Sequence, residues 1–265
     1  MMPKDLILVR HAESEGNLAN KLSRAGDHSA FTPEFSQRHS SKWRLTDKGI
    51  YQAKSAGEWL ASYFPFTFER QYTSEYLRAV ETAMYLGLGG EWYLDFNLRE
   101  RDQGVMDVLP DNERQSRYAE ELRRREIDSF FWAPAGGESL AQACLRIDRV
   151  LTTLHRECSN KRVIIVNHGE IMWAFRVRLE RMTQIRFHEL DASEDPLDHI
   201  HNCQILHYTR INPFTGEEAR YMNWMRSICP WDTTLSSNDW QEIIRPRFTD
   251  ADLRTLVEST PRLIQ

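Results

Sequence analysis

The chain has 265 residues, 41% of them hydrophobic and 28% charged, a composition that suits a globular protein with a sizeable core and excludes disorder as the default. Its formal net charge of −5 argues against a nucleic-acid or anionic-membrane surface as the main partner, so neither is expected. Cys144, Cys158, Cys203 and Cys229 are scattered without a CxxC pair, which reads as reduced thiols in a cytoplasmic protein, not a disulfide framework.

The first residues hold no apolar core followed by a small-residue cleavage site, so no signal peptide is expected. No apolar run approaches the ~20 residues that span a bilayer. Leu6-Ile7-Leu8-Val9 then runs as a strand into Arg10-His11, and polar residues follow that suit a turn and a helix over 13–23 with Ser14 near its start. Residues 24–44 show no clean period and read as a loop, rich in basic residues. Thr46 suits the N-cap of a helix that carries Ile50, Ala53, Ala56 and Leu60 at helical spacing and ends near Phe64-Pro65. Residues 66–73 read as a strand, 75–86 as a helix closed by Gly87 and Gly89-Gly90, and 91–96 as a short strand.

In the middle of the chain, 113–127 reads as one charged helix with Arg123, Arg124 and Arg125 on a solvated face. A loop with buried aromatics (Phe130, Phe131, Trp132) follows. Residues 138–157 form the clearest helix, with a stripe of Leu140, Cys144, Ile147, Leu151 and Leu154. Val163 to Val166 is a β-branched run that suits a fully buried strand, and 170–181 a helix. Strands over 202–210 and 219–226, a turn-rich stretch from Pro230 and a helix over 249–259 complete the chain. Alternating strands and helices imply an α/β, three-layer fold, a mostly parallel central sheet with helices on both faces. One domain over 1–265 is expected, with insertions at about 20–44 and 104–137 and an extension from about 230.

Four chemistry-bearing segments fall at or just beyond the carboxyl ends of predicted strands: Arg10-His11, the turn from Ser74 to Arg78, Glu100, and His168-Gly169. Parallel strands bring such ends together. The pooled inventory of two guanidinium groups, two imidazoles and a carboxylic acid fits phosphoryl transfer, because arginines match phosphate oxygens and stay charged. The working expectation is that His11 is a nucleophile that takes up a phosphoryl group.

These residues also carry a resemblance. Leu8-Val9-Arg10-His11-Ala12-Glu13-Ser14 with Asn17 resembles the Arg-His-Gly signature of the histidine phosphatase superfamily, the phosphoglycerate-mutase-like fold. Leu45-Thr46 with Gly49, Tyr72-Thr73-Ser74 with Arg78-Ala79 and Thr82-Ala83, Leu98-Arg99-Glu100-Arg101 with Gly104, Gly136-Gly137-Glu138-Ser139, and Val166-Asn167-His168-Gly169 are similar to that family's later motifs, in family order over residues 6–169. The resemblance implies that His11 attacks phosphorus and that Arg10, Arg78 and His168 hold the phosphoryl oxygens. Asn17, with Ser14, completes the phosphate-binding set, and Glu100 protonates the leaving alcohol and then activates water. Asp102 and Glu138 are neighbouring rivals for the acid. Flanking arginines should keep His11 unprotonated, and a bound phosphate should raise the pKa of Glu100.

The chain departs from the mutase pattern. Between Asn17 and Leu45 it lacks a Gly-Trp-x-Asp core, Asp102-Gln103-Gly104 stands where mutases carry His-Tyr-Gly, and the lysine-bearing loop after it is missing. The expected activity is therefore metal-independent hydrolysis of a small anionic phosphomonoester, without cofactor; a mutase is the alternative and a non-catalytic binding module a weaker one. Lys21, Arg24, His28, Arg38, His39, Lys42 and Arg44 suggest a substrate with additional negative charge, and residues 104–137 and the tail could cover the site. His199 and His201 with Asp195 and Asp198 have metal-like spacing, but a polar loop before a strand is the favoured reading over a metallohydrolase.

Overall fold

The computed structural model describes residues 1–65 and 67–264. Seven strands form one sheet: β1 (Asp5–Arg10), β2 (Arg70–Thr73), β3 (Trp92–Leu94), β4 (Arg162–Asn167), β5 (Ile205–Thr209), β6 (Trp224–Ile228) and β7 (Gln241–Glu242), in the order β3-β2-β4-β1-β5-β6-β7. The first four strands in that order are parallel, and β5, β6 and β7 add antiparallel to one side. β1 lies between β4 and β5, and its apolar run Leu6–Val9 is fully buried.

The helices are α1 (Glu15–Arg24), α2 (Pro33–Gln37), α3 (Asp47–Tyr63), α4 (Leu77–Tyr85), α5 (Asp111–Arg117), α6 (Ala119–Ile127), α7 (Leu140–Glu157), α8 (Gly169–Glu180), α9 (Gln184–Asp191) and α10 (Asp250–Glu258). Side chains alternate across a strand, and that alternation divides the core. Leu6, Leu8, Val163 and Ile165 join the stripe of α7 and the apolar side of α8, whereas Ile7, Val9, Ile164 and Val166 pack with Ala53, Ala56 and Leu60 of α3 and Ala79 and Ala83 of α4. The result is the expected α/β architecture of helices on both faces of the sheet, which is mixed, with a parallel core of four strands.

Several boundaries differ from the sequence reading. The first helix begins at Glu15 because Ser14 is its N-cap, in a reciprocal box with Asn17. The 24–44 segment is not all loop: Thr32 caps α2, which starts at Pro33, and a 3-10 turn covers Ser40–Lys42. The start of the predicted strand at Phe66 lies outside the described residues, and β2 begins at Arg70. The charged middle helix is two, broken at Tyr118, whose backbone leaves the helical region. The last long strand runs to Ile228, and β7 pairs beside it in residues left unassigned between the turn-rich stretch of 230–238 and the last helix. Phe131 is exposed, although Trp132 is buried. No helix among the described residues is long and apolar enough to cross a membrane.

Candidate active site

The carboxyl ends of the parallel strands meet in one cleft of about 690 Å³ whose wall includes Arg10, His11, Ser14, Asn17, Arg78 and Glu100. β1 delivers Arg10-His11, and β2 leads through Ser74 to Arg78 at the start of α4. Glu100 lies beyond β3, and His168 is the N-cap of α8 directly after β4. All four sequence-predicted segments are thus brought together.

His11 is buried. Its Nδ1 lies 2.7 Å from the Ala12 carbonyl oxygen, and its Nε2 accepts from Arg78 Nε at 3.1 Å. A neutral ring with its proton donated from Nδ1 keeps the lone pair on Nε2. Burial, then the charges of Arg78 and Arg10, hold the His11 pKa well below the ordinary imidazole value; only the Ala12 hydrogen bond opposes them. Arg78 is held in turn by the Ser40 carbonyl at 2.8 Å, so the 3-10 turn Ser40–Lys42 positions a charged group of the cleft. Arg10 Nη1 donates to the Ile200 carbonyl at 2.5 Å. A Cβ at Gly169 would come within 3.3 Å of Arg10 Nε, so the glycine leaves room for that guanidinium.

His168 sits one layer deeper, fully buried, its ring edge-on to His11 with centroids 5.0 Å apart. Its Nε2 is 2.8 Å from Ser74 Oγ, and its Nδ1 is 3.9 Å from Glu100 Oε2. The Tyr76 amide donates to Ser74 Oγ at 3.3 Å, leaving the hydroxyl proton available for His168 Nε2. Burial and then Arg78 and His11 push the His168 pKa well below its usual value. Glu100 accepts from the Arg101 amide at 2.9 Å. Burial raises its pKa to about 7 against the attraction of Arg78, and the nearby carboxylate Glu170 adds to the rise.

The rival acids are engaged elsewhere. Asp102 accepts from the Gly104 amide at 2.7 Å, and Glu138 is gripped by Arg146 through two contacts of 2.8 Å. Asn17 Oδ1 accepts from the Ser14 amide at 3.1 Å and from Asn202 Nδ2 at 3.2 Å, which turns its NH₂ away from those donors. The Ser14 hydroxyl caps α1 through Asn17, and Ser14 lines the cleft beside it. Asn202, Ser74 and the Ser40 carbonyl are the positioning groups that sequence reasoning did not assign. A backbone carbonyl has no sequence signal, and Asn202 lies in a predicted strand with nothing to distinguish it.

His11, Glu100 and His168 each offer one ligand atom, and these atoms lie within 4.8 Å of one another. Arg10 and Arg78 act on the same groups. Two guanidinium charges there disfavour a divalent cation and favour an oxyanion. His199 and His201 do not converge on a ligand site among the described residues: Asp195 caps the turn at Leu197, Asp198 accepts from Ser193, and His201 Nε2 meets the Pro196 carbonyl.

A family model for the histidine phosphatase superfamily (branch 1) matches residues 6–199. The chain is 30% identical over 195 residues to a 2,3-bisphosphoglycerate-dependent phosphoglycerate mutase of Azorhizobium caulinodans, covering 69% of this chain and 84% of that protein. It is 31% identical over 189 residues to the enzyme of the same description in Methylorubrum extorquens, covering 69% and 82%. Among solved structures, a mycobacterial glucosyl-3-phosphoglycerate phosphatase superposes with a TM-score of 0.60 at 20% identity, over 77% of this chain and 90% of that one. A putative alpha-ribazole-5'-P phosphatase from Escherichia coli gives 0.59 at 18% identity, over 83% and 96%. At that identity the structural matches establish the fold alone.

Proposed function

The chain belongs to the histidine phosphatase superfamily, and from that membership we propose that it hydrolyses a small phosphomonoester through a phosphohistidine on His11. The observation that carries the reading is the pairing of a neutral His11, its Nε2 lone pair set against Arg78, with Glu100, whose pKa of about 7 keeps a proton available near neutrality. In the first step His11 Nε2 attacks phosphorus in line. The bond from phosphorus to the ester oxygen breaks, and Glu100 donates its proton to the departing alcohol. In the second step the Glu100 carboxylate takes a proton from water as the water oxygen attacks phosphorus. The P–N bond breaks, its electron pair returns to Nε2, and inorganic phosphate leaves.

Arg10 and Arg78 balance the charge on the equatorial oxygens, so the reading needs no metal. The Asn17 NH₂ donates to one of those oxygens. With Nε2 served by the Ser74 hydroxyl, His168 carries its proton on Nδ1, 3.9 Å from Glu100 Oε2, and in this reading donates it to a phosphoryl oxygen. Water has room to enter once the alcohol departs, since the cleft is far larger than one phosphoryl group. A mutase has one specific observation in its favour, the 30–31% identity to phosphoglycerate mutases.

One experiment addresses both. Wild type and His11→Ala are incubated with an aryl phosphate, with and without EDTA, and wild type with 3-phosphoglycerate plus 2,3-bisphosphoglycerate. The expected result is EDTA-insensitive phosphate release that is lost in His11→Ala. Formation of 2-phosphoglycerate as the main product would replace hydrolysis with the mutase reading, and activity surviving in His11→Ala would remove the nucleophile.

A further inference from the structure

Arg78 of α4 and Arg146 of α7 are buried alike, at 6% and 8% exposed, yet they are held in opposite ways. Arg146 is neutralised by Glu138 through two contacts of 2.8 Å. Among the described residues no carboxylate lies within ion-pair distance of Arg78; Glu100 and Asp107 attract it across a longer distance, and Arg10 repels it. Its hydrogen bonds go to uncharged acceptors, from Nε to His11 Nε2 and from Nη1 to the Ser40 carbonyl. What lies against the guanidinium is the ring of Tyr76, whose centroid is 4.9 Å from Arg78 Cζ.

That arrangement suits a group that must bind phosphate. A paired carboxylate would stabilise the buried cation, but it would take up N–H donors and cancel the charge that an incoming oxyanion needs. An aromatic face attracts the cation through its quadrupole and occupies no donor. Arg78 Nη2 makes no hydrogen bond among the described residues and remains for a phosphoryl oxygen.

The same ring meets His168 edge to face, with centroids 5.2 Å apart and planes at 72°, so Tyr76 touches both the guanidinium and the deeper imidazole. It also meets His39, with centroids 6.4 Å apart. His39 accepts from the Ser41 amide and so caps the 3-10 turn that supplies the Ser40 carbonyl to Arg78. The Tyr76 amide is fixed on Ser74 Oγ, the partner of His168 Nε2. The Tyr76 hydroxyl makes no hydrogen bond among the described residues, so these contacts belong to the ring and not to the phenol.

We propose that Tyr76 is a positioning residue for phosphoryl transfer: its ring holds the Arg78 guanidinium and the His168 imidazole where they receive the phosphoryl oxygens, and it takes a donor from neither. The inference rests on the reading that Arg78 and His168 bind the phosphoryl group, and it applies to hydrolysis and mutase chemistry alike.

The test compares wild type, Tyr76→Phe and Tyr76→Leu in kcat and KM for 4-nitrophenyl phosphate and in calorimetric affinity for orthovanadate. Tyr76→Leu fills space without an aromatic face and should lower both kcat/KM and orthovanadate affinity about tenfold. Tyr76→Phe keeps the face and should stay within about threefold of wild type. The loss should also depend on the cation. In an Arg78→Gln background, Tyr76→Leu should weaken orthovanadate binding by less than about threefold. A tyrosine with only a structural role would cost the same in both backgrounds, which overturns the proposal. So does a Tyr76→Phe as impaired as Tyr76→Leu, because the hydroxyl would then be the acting group, and so does a Tyr76→Leu that matches wild type. If Tyr76→Leu does not fold, Tyr76→Met supplies the same comparison. A wild type that binds orthovanadate but turns over no ester counts against the phosphatase reading alone, and the affinities then decide the role of Tyr76. A wild type that binds no orthovanadate overturns the proposal.

Discussion

Glu100 governs the pH behaviour at the scale of single residues. It must carry a proton to release an alcohol, and burial sets its pKa at about 7. Raising the pH through that value removes the proton, so kcat/KM for alkyl phosphates should fall about tenfold per pH unit above neutrality. His11 must be unprotonated, and its pKa lies well below the usual imidazole value, so the acid side should stay flat through the range where a free histidine would titrate. Glu100→Gln should cost about 10²–10⁴ in kcat/KM with alkyl phosphates and abolish the alkaline limb. A limb that stays at the same pH in the variant would assign it to another group. The sequence supplied three acids in this region without ranking them by environment. Only the fold shows Asp102 closing a turn and Glu138 bound to Arg146, because engagement depends on neighbours distant in the chain.

Among the elements, α3 shows how a helix start is locked to the site. Thr46 Oγ1 accepts from the Gly49 amide at 3.1 Å and donates to Glu13 Oε1 at 3.0 Å. A Cβ on Gly49 would lie 2.1 Å from the Glu13 carbonyl oxygen, a backbone atom just beyond His11 and Ala12 that has little freedom to withdraw. Gly49→Ala should therefore destabilise the protein by about 1–3 kcal/mol, read as a lower denaturant midpoint with an unchanged slope, and should reduce activity as well. An unchanged midpoint would mean that the helix shifts freely. Helices with a cap and an apolar stripe, such as α3 and α7, were legible in the sequence because both signals are local. β7 was not, because two residues that pair through backbone alone carry no side-chain pattern, and the break at Tyr118 has neither Gly nor Pro to mark it.

At the scale of the whole molecule, the end of the chain is attached by few contacts. Arg245 is anchored by the Leu179 and Met222 carbonyls and Asn223 Oδ1, but every residue of α10 is exposed. Deleting residues 249–265 should shift the thermal midpoint by less than about 2 °C and leave phosphate release intact; a drop beyond about 5 °C would reveal packing on the body. No described residue from Pro230 onward lines the cleft. The influence of the tail passes through Trp231, whose indole donates to the Asn202 carbonyl at 2.6 Å, while Asn202 holds Asn17 and the His11 carbonyl. The sequence by itself determined the layered architecture, the strand that presents Arg10-His11 and the identity of the converging motifs, because apolar periodicity and ordered motifs are written in local chemistry. The tertiary structure decided which of three acids faces His168 and that Ser14 serves Asn17. It also decided where the cations point: Arg125 turns to the cleft while Arg123 and Arg124 find glutamates. Burial and pairing are relations between distant residues, and three adjacent arginines look alike until the chain has folded around them.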